Sequence, residues 1–257
     1  IQTLHKYYHG EFDEGKPFKL KGVTADLEGK AYNDLSDFDR TRLDESILHA
    51  TIIKQDEPDD GESSVYMIFE RLNTGGVPLR PQEVRACVYY GLFNELLISL
   101  TDNIHWRSLF SSKNTRMKEE ELILRFFAFF FNWQDYKGNY KYFLNEFMDL
   151  NRNLIIHSKE ELVELFNTTI AFIVQSLGTS AFKTGTQINA AIFDAVMIGV
   201  AERLKIELNP NTEAFKTQYS ALLSDGDFKS YVSSTTADSA SVKGRIQKAI
   251  SQFSRQR

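Results

Sequence analysis

The chain has 257 residues, of which 42% are hydrophobic and 25% charged, enough apolar content to bury a sizeable core as one domain of two lobes or as two small domains. That balance excludes a disordered chain, and the formal net charge of −5 excludes a uniformly basic nucleic-acid binder while leaving room for a local basic face. A single cysteine excludes a disulfide framework within the chain. No uncharged apolar run is long enough to span a bilayer and no signal peptide is visible, so no membrane role and a cytoplasmic location are expected.

In chain order, Ile1 to His9 reads as a helix closed by Gly10, and Pro17 to Gly22 as a short strand leading into a polar, hairpin-like stretch around Glu28-Gly29-Lys30. Ser36 suits the N-cap of a helix carrying Phe38 and Leu43. Ile47 to Ile53 is rich in β-branched residues and predicts a strand; Gln55 to Gly61, acidic and holding Pro58, predicts a surface loop. His5 and His9 stand four apart on the first helix, the right spacing for a shared metal face, but no third ligand lies near them and a solvated face is the better reading.

The next segment reads as a helix, a break and a second helix. Val65, Ile68, Phe69 and Leu72 recur at helical spacing, and Gly75-Gly76 supplies residues that accept positive φ just past the last turn. Pro78 keeps the linker extended, Pro81 suits the first position of a new helix, and Glu83 falls in its first turn, where a carboxylate is favoured by the helix dipole and reaches free N–H groups. Arg80 stands where a Ser or Asn would make a better cap. Asn73, Thr74 and the glycines turn a carboxamide and several N–H groups toward one concavity, suited to phosphate or a phosphate-bound metal. Spacing alone favours a plain helix–turn–helix corner, since a glycine pair beside an Asn is a weak motif by itself.

From Pro81 onward the pattern is helical. Val84, Val88, Leu92, Leu96 and Leu100 mark one helix face, with Cys87 expected as a buried small hydrophobe. Leu122 to Trp133 forms a helix apolar all round, and its aromatics, Phe126, Phe127, Phe129, Phe130, Phe131 and Trp133, read as core rather than as a base-stacking platform. Tyr140 to Leu150, Lys159 to Leu177, Gln187 to Leu204, Glu213 to Leu223 and Ser239 to Phe253 read as further helices of a bundle, joined by turns at Gly138, Gly178, Pro210 and Gly226. Lys243, Arg245, Lys248, Arg255 and Arg257 make the tail basic; they suit nucleic-acid phosphates or, more simply, a solvated helix face.

The wording Phe69-Glu70-Arg71-Leu72-Asn73-Thr74-Gly75-Gly76, then Leu79, then Gln82-Glu83-Val84-Arg85, then Tyr90-Gly91-Leu92-Phe93-Asn94, closely resembles the signature of the GmrSD restriction-system N-terminal domain family, relatives of ParB. Similarity extends upstream through Asp39-Arg40-Thr41-Arg42-Leu43 and downstream through Glu120, Leu122 and Arg125, covering at least Ile1 to Leu150. The resemblance implies a nucleoside triphosphate site with Mg²⁺. Asn73 would contact metal or phosphate, Thr74, Gly75 and Gly76 would let the backbone approach, and Glu83 and Arg85 would orient the site. The family's other site element, Asp-Gly-Gln-Gln-Arg, does not occur; Ile1 to Tyr8 looks like the helix that follows it, so an N-terminally truncated member is expected.

The fold expected is mainly α with a small α+β portion: residues 1–110 as the C-terminal part of a ParB-like nucleotide-binding lobe, and 111–257 as a helical domain. The function implied by the resemblance is a nucleotide-binding, NTP-hydrolysing sensor or regulatory component of a prokaryotic anti-phage or restriction system acting on DNA, with a separate nuclease or effector subunit as partner. The alternative is a non-catalytic helical module that recruits a nuclease partner or DNA. A chain that itself cuts DNA is the weakest reading, because no His-Asn-His type metal-nuclease motif is present.

Overall fold

The computed structural model describes residues 2–10, 18–47, 64–72, 78–110 and 116–254. About 71% of these are helical and the only sheet among them has two strands, so the protein is mainly α with a small β portion. Two compact units divide the chain, Ile1–Ile53 and Lys54–Arg257.

In the first unit, α1 (Gln2–His9) ends where Gly10, at φ +68°, donates its N–H to the Tyr7 carbonyl. No strand forms over residues 18–22. The chain instead closes a hairpin-like loop in which Leu20 donates to the Lys30 carbonyl (2.9 Å) and accepts from Gly29 (2.8 Å). A short 3-10 turn, Tyr32–Asp34, leads to α2 (Asp37–Asp44), whose cap is the one expected: the Ser36 hydroxyl accepts from the Asp39 N–H. The Tyr32 hydroxyl donates to the Asp44 carboxylate at 2.8 Å, tying the turn to the end of α2. Of the strand expected over Ile47 to Ile53, Ile47 is irregular and 81% exposed, and the rest lies outside the described residues, as do Gln55 to Gly61, where a loop was expected, and residues 73–77.

The second unit holds α3 (Ser64–Leu72), α4 (Pro81–Val88), α5 (Leu92–Leu100), α6 (Ile104–Leu109), α7 (Lys118–Asn132), α8 (Tyr140–Asn151), α9 (Lys159–Leu177), α10 (Ala190–Ile206), α11 (Thr212–Ser224), α12 (Gly226–Ser233) and α13 (Ser239–Phe253). Its core is built around α7 and α10. Phe126, Phe127 and Phe129 of α7 are fully buried among Phe93, Trp106, Phe166 and Phe193, which settles those aromatics as core. α10 is buried on every side from Ala191 to Ala201 and packs most closely on α13; a Cβ on Gly199 would stand 2.7 Å from the Phe253 ring and 3.0 Å from Ala249, so glycine there lets the two backbones approach. α9 is long and apolar enough, by length and composition alone, to cross a membrane. Here it packs Leu162, Phe166, Ile170 and Ile173 inward and leaves Glu160, Glu161 and Glu164 exposed, as an amphipathic core helix does.

Three local expectations are corrected. The single helix face from Val84 to Leu100 is broken at Tyr89–Gly91, because Phe93 donates its N–H to the Arg152 carbonyl and Gly91 lies so close to that carbonyl that a Cβ would meet it at 2.7 Å. Leu92 is therefore 54% exposed. The helix expected from Gln187 starts at Ala190, since Gln187–Ile188 pairs antiparallel with Lys183–Thr184 around Gly185 at φ +67° and the Asn189 side chain caps the N–H groups of Ala191 and Ile192. Gly226 is not a turn but the first residue of α12, capped by Asp225, which accepts from the Phe228 N–H at 2.8 Å.

Candidate functional site

α4 starts as its sequence dictates. Pro81 occupies the first helical position, Arg80 is the N-cap without a side-chain cap bond, and Glu83 reaches back to accept from the Arg80 N–H at 2.6 Å. What the sequence did not reveal is the partner on the other side. Arg116, just before α7, grips Glu83 through two bonds of 2.8 Å, Nε to Oε1 and Nη2 to Oε2, and donates a third, also 2.8 Å, to the Pro78 carbonyl. One guanidinium thus fixes both the linker that leaves residues 73–77 and the helix that follows them. The Arg116 hydrogen bonds hold the Glu83 carboxyl below its usual range.

Arg85, two residues after Glu83 and on the opposite side of α4, is 1% exposed. Its Nε donates to Gln82 and its Nη2 to Glu121 of α7, both at 2.7 Å. Burial draws the guanidinium pKa down, and the Glu121 charge opposes that shift. Above it the Tyr66 hydroxyl on α3 is pushed up to about 12, chiefly by burial. Glu83 and Arg85 therefore brace the corner. Both carboxylate oxygens of Glu83 are committed to Arg116 and the backbone, and the Arg85 guanidinium to Gln82 and Glu121. Asn73, Thr74, Gly75 and Gly76 lie outside the described residues.

Cys87 corrects an expectation. It is exposed, because the buried stripe of α4 runs through Gln82, Arg85 and Tyr89 and position 87 falls on the opposite side of the helix. Local desolvation and the Glu83 charge push its thiol up, away from the range of a reactive thiolate. His5 and His9 face each other with ring centroids 4.3 Å apart on an exposed side of α1. Among the described residues no group of three or more His, Cys, Asp or Glu side chains could hold a metal ion.

Of the basic tail, Arg255 and Arg257 lie outside the described residues, and the described part is not a row of free cations. Arg245 is fully buried and is held by Asp194 of α10 at 2.8 Å; Lys248 is clamped by Asp225 and Asp227, each at 2.8 Å; Lys243 is half-buried. Asp194 also receives Arg125 of α7 through two bonds, 3.0 and 2.6 Å, and both arginines donate to the Tyr140 hydroxyl, while Arg245 donates to the Thr236 carbonyl at 2.7 Å. Arg125 also lies over the Tyr140 ring, 4.3 Å from its centroid. Burial works against the Arg125 charge, yet Asp194 and Tyr140 outweigh it and raise the guanidinium pKa. Burial, then the Asp194 charge, pushes the Tyr140 hydroxyl up as well. This buried Arg–Asp–Arg group joins α7, α8, α10 and α13. The sequence held one signal for it, a lone carboxylate at position 194 in a helix otherwise apolar from Ala190 to Ala201.

No family model, no curated protein and no solved structure matches the chain.

Proposed function

We propose that the chain is the nucleotide-binding part of a sensor or regulatory component of a prokaryotic, cytoplasmic anti-phage or restriction system acting on DNA, taking a nucleoside triphosphate with Mg²⁺ at the corner between α3 and α4. The observation that carries this reading is the run from Phe69 to Arg85, whose wording resembles the GmrSD N-terminal family and whose second helix begins with a fully engaged Glu83. On this reading Asn73 contacts metal or phosphate, Thr74, Gly75 and Gly76 admit the phosphates to the backbone, and Mg²⁺ supplies charge neutralisation there. Glu83 and Arg85 act at one remove. Glu83 fixes the start of α4 through Arg116, and Arg85 locks α4 to α7 through Glu121.

The test is titration of the full-length protein with Mg²⁺ and each of the four nucleoside triphosphates, read by calorimetry and by phosphate release. Saturable binding that drops at least tenfold in Asn73→Ala supports the reading. Absence of binding by the full-length protein, or binding indifferent to Asn73→Ala, overturns it.

A further inference from the structure

The N-cap of α7, Met117, stands at φ +53° and ψ +28°, in the left-handed region, and its side chain makes no cap bond. A residue with a Cβ crowds its own backbone there, and methionine lacks the short polar side chain that lets asparagine or aspartate tolerate it. Such a residue persists only where its surroundings over-determine it. Here they do so from both sides. Before Met117, Arg116 holds both carboxylate oxygens of Glu83 and the Pro78 carbonyl, each bond 2.8 Å long. After it, the first turn of α7 is pinned twice. Glu119, 2% exposed, accepts from the Trp106 indole at 2.9 Å and pairs with Arg107, both on α6, while Glu121 takes Arg85 of α4 at 2.7 Å. Met117 alone joins Arg116 to Lys118, the first residue of α7, so its two dihedral angles absorb the misfit between the anchored pieces.

We propose that the joint between α4 and α7 is a strained latch with two states. In the latched state Arg116 grips Glu83 and Pro78 and keeps Met117 left-handed. When the grip on Glu83 is lost, Met117 passes to right-handed helical values, α7 begins one residue earlier, and Arg116 becomes its N-cap. Two observations make this a switch rather than a gradual adjustment. The left-handed and right-handed regions are separate basins, so relaxation crosses between them instead of drifting. The relief at Met117 and the Arg116–Glu83 ion pair also act against each other, and that pair lies at the edge of the body, with the Arg116 side chain 33% exposed. Whatever competes for either partner is therefore felt at once by the Pro78 linker, α4 and α7. The latch does not depend on nucleotide binding at the corner.

The test reads the conformation of position 117 from the sign of one difference. Glycine is the better residue at positive φ and alanine the better one in a helix, and both remove the methionine side chain. Met117→Gly and Met117→Ala are made in the whole chain and in two backgrounds that open the latch, Glu83→Gln and Arg116→Gln, and thermal unfolding gives each Tm. In the otherwise unchanged chain the glycine variant should melt roughly 2–4 °C above the alanine variant. In the open backgrounds the order should reverse, with alanine higher by roughly 1 °C or more. If one background shows no cooperative transition, the other decides. An alanine variant at least as stable as the glycine variant in the otherwise unchanged chain overturns the proposal. So does glycine remaining the better residue with the latch open, which would mean that the turn is left-handed without it, and so does failure of both backgrounds to fold, which would mean that no open state exists.

Discussion

Replacing Asp194 with asparagine should destabilise the helical body more than any other single change in its buried charge group. Asp194 has no exposed surface and balances Arg245, which has none either, and Arg125, whose side chain is 13% exposed. Asp194→Asn keeps the shape and one acceptor but leaves two guanidinium charges facing each other across Tyr140 with no counter-charge in the group. Breaking a buried pair by removing one partner costs about 3–5 kcal/mol. In a body of this size that corresponds to a fall in Tm of roughly 6–20 °C. Arg245→Met should cost less, about 1–2 kcal/mol, because Asp194 stays gripped by both bonds from Arg125 and the charge left behind is still paired. Urea unfolding followed by far-UV circular dichroism, with linear extrapolation, gives both values, and the double variant gives their coupling. A loss under about 1 kcal/mol for Asp194→Asn, or a larger loss for Arg245→Met than for Asp194→Asn, would refute the assignment of Asp194 as the balancing charge.

Arg116→Lys keeps the charge but loses the two-point grip on Glu83 and should cost about 1–2 kcal/mol, read by the shift in urea midpoint against wild type. The Glu83 carboxyl titrates below its ordinary 4.5, so its contribution is complete above that pH and disappears as pH falls through the lowered folded-state value; the stability gap between wild type and Glu83→Gln should therefore close on acidification. Gly199→Ala forces a methyl onto Phe253 and Ala249 and should destabilise by about 1–3 kcal/mol, measured by thermal unfolding, with an unchanged Tm as the contrary result. Lys248→Ala removes a cation already shared by Asp225 and Asp227, so DNA binding by the chain, if measured by salt-dependent anisotropy, should keep the same salt slope.

Much of the helical body was legible in the sequence because its signals are local. Helix α13 spans Ser239–Phe253 and α9 spans Lys159–Leu177, as their apolar periodicity predicts; Ser36 and Glu83 start their helices through bonds that lie within four residues, and Pro81 through its fixed φ. A local signal fails where a distant group decides. The break at Gly91 depends on the Arg152 carbonyl, and the delayed start of α10 depends on a two-residue strand pair. Cys87 looked like core because cysteine is usually buried, yet the stripe that faces the body is chosen by what α3, α7 and α8 offer to α4.

The candidate site divides in the same way. Sequence alone determined that a helix with a charged first turn starts at Pro81, since proline and glutamate at those positions act through their own backbone, while residues 73–77 lie outside the described residues. Only tertiary structure decided what the charges do, because an ion pair is a contact between residues far apart in sequence. Glu83 meets Arg116, Arg85 meets Glu121, and Arg245, one of a row of basic residues in the sequence, turns inward to Asp194 and leaves the surface altogether.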